Sequence, residues 1–314
     1  MKAVRFHEYG DADVLRYEDA DQPVPGTDEV RIRVAATTFN GVDGNIRAGL
    51  MQGPMPVTFP HVPGLDVAGT VDALGTGVTG WAVGDQVVGF LPFVVDGAAA
   101  EYVVAPAASL ATAPTAIPLA DAAALPLVGL TAYQALFDHA RLEAGQRILV
   151  NGASGAVGSY AVQLAKAAGA YVIATSSPRT SADVRAAGAD EVVDYTSTDV
   201  ASTVGEPVDV LLNLAPISPE QFATLAALVG DGGVVVSTTV WMPAPTDDAR
   251  GVRGIDLFVR SDADQLAELV ARVDRGELTV EVTERVALAE LADIHARAAA
   301  GTLAGKVVVL AAGD

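Results

Sequence analysis

Short apolar runs separated by turn residues fill roughly the first hundred positions of the chain. Val30, Ile32 and Val34 alternate with Arg31 and Arg33, the two-residue period of a strand with one wet face. Pro23-Val24-Pro25-Gly26 and Gly75-Thr76-Gly77 punctuate these runs. Many short strands between turns predict a compact, barrel-like β-rich unit.

The pattern changes near Ala120. Asp121 is placed to cap a helix through Ala122-Ala123-Ala124 that Pro126 keeps short. Arg147–Asn151 then reads as an apolar strand. A helix follows from Val157 to about Ala168, with Ala161, Leu164, Ala165 and Ala168 on one face. Tyr171–Thr175, Val208–Asn213 and Gly233–Ser237 are further apolar runs, of the kind covered on both faces in parallel sheets. Strands alternating with helices predict a doubly wound α/β domain. After Asp262 comes an amphipathic helix carrying Leu266, Leu269, Val270 and Val273, then a last strand, Lys306–Leu310, that returns to the first domain. The expected division is 1–121 with 263–314 as the β-rich domain, and 122–262 as the α/β domain.

Composition narrows the chemistry. With 314 residues, 51% of them hydrophobic, the chain can fill two cores. No apolar run approaches the length of a membrane helix. The start, Met1-Lys2-Ala3-Val4-Arg5-Phe6-His7-Glu8, alternates like a strand rather than a signal peptide, so a cytoplasmic location is expected and no membrane partner. A net charge of -20 argues against nucleic acid and reads as solubility. Any anionic cofactor must therefore be held by local donors. Cysteine is absent, which removes disulfides, thiol catalysis and every cysteine-containing zinc site. His7, His61, His139 and His295 show no pair at ligand spacing, so no metal is expected.

The most informative segment is Asn151-Gly152-Ala153-Ser154-Gly155-Ala156-Val157-Gly158, directly between a strand and a helix. In that setting Ala-x-Gly-x-x-Gly is a variant of the dinucleotide fingerprint. Gly155 lets backbone approach a pyrophosphate, Gly158 lets helix and strand pack closely, and the amides of Ser154, Gly155, Ala156 and Val157 face the anion. Cofactor choice is read from the next strand, which ends Thr175-Ser176-Ser177-Pro178-Arg179 with no carboxylate before Asp183. Hydroxyls and a guanidinium suit a 2′-phosphate, which favours NADPH over NADH.

Several motifs in register extend this reading: Asn40–Gly49, Pro63-Gly64-Leu65-Asp66-Val67-Ala68-Gly69, Gly84-Asp85-Gln86-Val87-Val88, Gly129-Leu130-Thr131-Ala132-Tyr133 and the glycine turn. Together they resemble the medium-chain dehydrogenase/reductase superfamily over nearly the whole chain, and most of all its zinc-independent quinone oxidoreductases. The resemblance implies a Rossmann-type doubly wound parallel sheet for the cofactor, beside a GroES-like, partly open barrel as catalytic domain. Zinc alcohol dehydrogenases of this superfamily carry ligands where Asn40 and Leu65 stand, with a third near Val128. None of the three is a ligand here, so alcohol oxidation is not expected and reduction of a quinone or enone is.

The same resemblance places Asn40 near the nicotinamide or the substrate oxygen as an amide donor, and Thr131 along the nicotinamide. Ser176, Arg179 and Tyr195 would surround the 2′-phosphate, with Leu214, Ala215, Ser237, Thr238 and Thr239 against the ribose and nicotinamide. No tyrosine occurs between Tyr17 and Tyr102, where related reductases keep one, so no general acid is named and the proton would come from water. Asp43 and Asp66 read as loop anchors, His61 as a partly exposed loop histidine, Asp247-Asp248 as a solvated loop. Tyr133 and Trp241 would shape the pocket, or Tyr133 the core. Ile255–Val259 is expected to form the edge of the sheet and to pair with its mate in a homodimer. Other readings are an enoyl-thioester or polyketide enoyl reductase, a non-catalytic NADPH-binding redox sensor and, more remotely, an S-adenosylmethionine-binding methyltransferase.

Overall fold

The computed structural model describes residues 1–239 and 241–311. Two compact units divide the chain: Met1–Leu127 together with Ser261–Asp314, and Val128–Arg260.

The first unit is built around the long strand Glu29–Thr38. One of its edges pairs antiparallel with Asp66–Leu74. The other is shared, with Tyr102–Pro106 along residues 29–33 and Val307–Leu310 along residues 36–38. The sheet continues through Gln86–Phe90 and Leu110–Thr112. Val30, Ile32 and Val34 are buried, as their alternation with arginine requires. The strand Val307–Leu310 also pairs in parallel with Glu284–Ala287. The amphipathic helix is Ala263–Asp274, capped by the Asp262 carboxylate on Gln265 N at 3.0 Å, and it buries the four expected residues Leu266, Leu269, Val270 and Val273.

The region after Asp121 departs from expectation. Asp121–Ala124 forms only a 3-10 turn, and the α-helix runs Pro126–Tyr133. Proline starts this helix instead of ending one, because a first-turn residue needs no amide hydrogen. Leu127 N donates to the buried carboxylate of Asp66 at 2.7 Å, so residues 122–127 go with the first unit.

The second unit contains six parallel strands among the described residues. Their spatial order is Glu191–Asp194, Tyr171–Ser176, Arg147–Asn151, Val208–Asn213, Val229–Ser237 and Arg253–Asp256. Numbered along the chain that order is 3-2-1-4-5-6, the doubly wound arrangement whose switch point lies between the first and fourth strands. Leu149, Ile173, Leu211 and Val235 are fully buried, consistent with a sheet covered on both faces. The edge strand is Arg253–Asp256, shorter and earlier than expected, with Leu257 buried and Phe258 exposed beyond it.

Candidate functional site

In the second unit the glycine turn joins the strand Arg147–Asn151 to the helix Ala156–Ala167. Gly152 has φ +90°, a conformation that glycine adopts without strain. A Cβ on Gly158 would lie 2.4 Å from Gly152 O and 2.5 Å from Ala153 O, so only glycine lets the helix come this close. A Cβ on Gly155 would meet only Gly152 O, at 3.4 Å; that side is open. Gly155 is the N-cap and has no side chain to bond the first-turn amides of the helix, which leaves them for an anion.

The strand ends around the switch point are tied by a chain of polar groups. Gly152 N donates to Thr175 Oγ1 at 2.9 Å, Thr175 Oγ1 to Asn151 Oδ1 at 2.9 Å, and Asn151 Nδ2 to Asn213 Oδ1 at 2.8 Å. Asn213 Nδ2 reaches Thr239 Oγ1 at 3.4 Å, and that hydroxyl bonds Ser237 Oγ at 2.7 Å. Above this floor is a cavity of about 680 Å³. Its lining includes Asn151, Gly152, Ser154, Gly155, Thr175, Tyr195 and Leu214–Ile217, together with Asp199, Glu220 and Gln221. The carboxylates of Asp199 and Glu220 make their side fit an uncharged group rather than a phosphate.

Of the residues expected from sequence, Ser154, Gly155, Tyr195, Leu214 and Ala215 line this cavity. Ala156 and Val157 open the helix beside it. Ser237 and Thr239 belong to the floor, and Thr238 N donates to Asn213 O at 3.1 Å. Ser176 is fully buried, and its hydroxyl is engaged with Ser177 O at 3.0 Å and Thr180 Oγ1 at 2.8 Å. Arg179 is exposed on the following turn and makes no bond or ion pair among the described residues. Thr131 is buried on the helix Pro126–Tyr133. Trp241 is 72% exposed and Tyr133 stacks edge-on against Phe137 at 4.9 Å. Sequence reasoning missed Thr175 and Asn213 as floor residues; they end apolar strands, and only the register shows them in line.

In the first unit Asn40 is the N-cap of the short helix Gly41–Arg47 and lies in a buried polar cluster. Its Nδ2 donates to Asp66 Oδ2 at 2.9 Å and its Oδ1 accepts from Lys306 Nζ at 2.5 Å. Asp66 Oδ2 also accepts from the Thr38 hydroxyl and from Lys306 Nζ at 3.2 Å. Asp43 accepts Asn40 N at 2.9 Å and Gly64 N at 3.1 Å. Burial pushes its carboxyl up to about 6 against the pull of those two amides; Asp66 pushes the same way and Lys306 opposes. Lys306 carried no signal in the sequence, because its partners are up to 267 residues away.

One side chain differs from expectation. His61 is buried, not a partly exposed loop residue: a backbone bridge to Phe6 draws it into the core, with its ring edge-on to Phe6 at 5.2 Å. Asp247-Asp248 form a solvated loop as expected, and the half-exposed Asp247 carboxylate accepts from Arg250 Nε at 2.7 Å.

Among the described residues no three His, Asp or Glu side chains are grouped to hold a metal ion. Of the residues that the resemblance equates with zinc ligands, Asn40 in the first unit has its amide already bonded, Leu65 in the same unit is a buried hydrocarbon, and so is Val128 in the second unit. These side chains do not fit a zinc ion.

Comparison with known proteins identifies the family. Residues 26–115 match the alcohol dehydrogenase GroES-like domain and residues 187–309 the zinc-binding dehydrogenase family. The chain is 34% identical to the chloroplast envelope quinone oxidoreductase homolog of Arabidopsis thaliana, over 98% of both chains. A solved NAD-dependent alcohol dehydrogenase superposes with a TM-score of 0.90 at 30% identity, covering 100% of each chain. The CurK enoyl reductase gives 0.85 at 26% identity over 98% of each. The fold and site define a medium-chain dehydrogenase/reductase, and the chain belongs to that superfamily, in its quinone oxidoreductase branch. It is an oxidoreductase of the kind that binds a nicotinamide cofactor.

Proposed function

We propose that this protein is an NADPH-dependent reductase that passes a hydride to a quinone or an α,β-unsaturated carbonyl compound without zinc. The observation that carries the reading is the uncapped helix start at Ala156, open over Gly155 at the sheet's switch point, with an unpartnered Arg179 on the turn after the second strand. The first-turn amides hold the pyrophosphate, and Arg179 and Tyr195 take the 2′-phosphate. Leu214 and Ala215 shape the ribose side above the Thr175–Asn151–Asn213 floor.

When bound, the reduced nicotinamide supplies the hydride. Asn40 Nδ2 keeps one hydrogen that no described residue accepts, and it meets the carbonyl oxygen as charge collects there. With Asn40, Leu65 and Val128 at the ligand positions there is no Lewis acid to ionise an alcohol, and an electron-poor acceptor needs none. Water supplies the proton.

Mixing the protein with NADPH and a panel of quinones and enals tests the reading: nicotinamide absorbance is expected to fall. Binding without turnover on any acceptor favours a non-catalytic NADPH sensor. The likeness to an enoyl reductase supports a second reading, reduction of enoyl thioesters, which the same assay separates by including acyl thioesters. The free edge of Arg253–Asp256 supports a homodimer joined through the sheet.

A further inference from the structure

The strand register brings Lys306 to Asn40. Val308 pairs with Thr38, Val309 with Thr37 and Leu310 with Ala36; carried two residues outward, this register sets Lys306 opposite Asn40. The ammonium is buried there, bonded to Asn40 Oδ1 at 2.5 Å and Asp66 Oδ2 at 3.2 Å, with Phe39 O at 3.5 Å as its third neighbour.

Burying an ion pair is expensive relative to an apolar pair of the same size, so what the pair does for its surroundings matters. Lys306 spends its three hydrogens on those three oxygens. Asp66 receives Thr38, Asn40 and Lys306 on Oδ2 and Leu127 N on Oδ1. Asp43 takes two backbone amides. Of the hydrogens on these polar side chains, one is left over: the second on Asn40 Nδ2. Its direction is fixed by charge. An ammonium can face only the amide oxygen and a carboxylate only the amide nitrogen, so rotating the amide by half a turn would create two repulsive contacts at once. A cation on Oδ1 also draws electron density away from the nitrogen, which strengthens the remaining N–H as a donor.

We infer that Lys306 is a positioning residue for the reduction, acting through Asn40 by locking and polarising its amide toward the substrate's carbonyl oxygen; this rests on the role given to Asn40 above. In the step concerned, a hydride bonds to the β carbon of the conjugated acceptor, the carbon–carbon π pair shifts to join the α and carbonyl carbons, and the carbon–oxygen π pair moves to oxygen. The Asn40 N–H holds that enolate oxygen until a water gives up a proton to the product and leaves as hydroxide. The nicotinamide is oxidised and the acceptor reduced by two electrons.

The test is a kinetic cycle of wild type, Lys306→Met, Asn40→Ala and the double variant, with NADPH affinity measured alongside. Lys306→Met is expected to lower kcat roughly tenfold to a hundredfold, somewhat less than deletion of an oxyanion donor, with NADPH affinity unchanged. In the Asn40→Ala background it is expected to lower kcat no further. Multiplying losses would overturn the inference, and so would a folded Lys306→Met enzyme with wild-type kcat. Because Lys306→Met leaves Asp66 unpaired, the change is also made in Asp66→Asn protein, where no buried charge is stranded; the same fall in kcat relative to Asp66→Asn alone is expected, and its absence counts against the inference. Wild-type protein that binds NADPH yet reduces no quinone or enone would remove the reductase reading, and the inference with it.

Discussion

His295 and Asp43 are buried in the first unit and titrate in opposite senses. The His295 ring is packed edge-on to Phe39 at 4.7 Å, and its Nδ1 has no hydrogen-bond partner. Burial, and then the nearby Arg47, push it down from 6.5 to about 3, so the folded protein keeps it neutral. Below pH 6.5 the unfolded chain binds a proton here that the folded one does not, and stability falls as pH falls. Asp43 is raised from 3.8 to about 6, so between those values the folded protein holds the extra proton and stability rises as pH falls. From pH 7.5 to pH 5, a range above the isoelectric point of 4.4, the histidine costs about 2 kcal/mol and the carboxyl returns between about 1 and 2. Wild type is therefore expected to show little net change from this pair. Asp43→Asn is expected to lose about 1 to 2 kcal/mol more than wild type over the range, and His295→Phe about 2 less. Urea unfolding at the two pH values measures this. In a Trp241→Phe background the reporter is Trp81, whose indole donates to Ala107 O at 3.1 Å in the same unit. Three parallel pH profiles would refute the assignment.

Other perturbations address the cofactor site and the assembly. Arg179→Ala is expected to weaken NADPH about ten- to a hundredfold and leave NADH affinity alone, as loss of a charge-assisted bond to the 2′-phosphate requires; equal losses for both cofactors would contradict that role. Gly158→Ala drives a methyl group into two backbone carbonyls, so a loss of about 1 to 3 kcal/mol in stability and weaker NADPH binding are expected, read by thermal unfolding and titration. Light scattering at micromolar protein is expected to give the mass of a dimer, and a monomer mass would contradict pairing through Arg253–Asp256.

Local patterns made the strands, the glycine turn and the helix Ala263–Asp274 legible, because each depends on neighbours within a few residues. Val30, Ile32 and Val34 needed only period two, and Gly155 and Gly158 only their place between a strand and a helix. The segment from Asp121 forms a 3-10 turn because Pro126 can begin a helix as readily as end one, and the outcome rests on Leu127 N bonding Asp66, sixty-one residues away. His61 was misjudged for the same reason: its burial follows from a bridge to Phe6. Lys306 and the Asn151–Asn213 pair were invisible because register across a sheet, not spacing along the chain, brings such groups together.

Binding of the nicotinamide cofactor itself is the claim on which the proposed chemistry depends. Isothermal titration of the folded protein with NADPH and with NADH tests it most directly. One NADPH per chain, held more tightly than NADH, is the predicted result. Heat from neither dinucleotide would contradict the assignment of the Gly155 turn and of everything built on it.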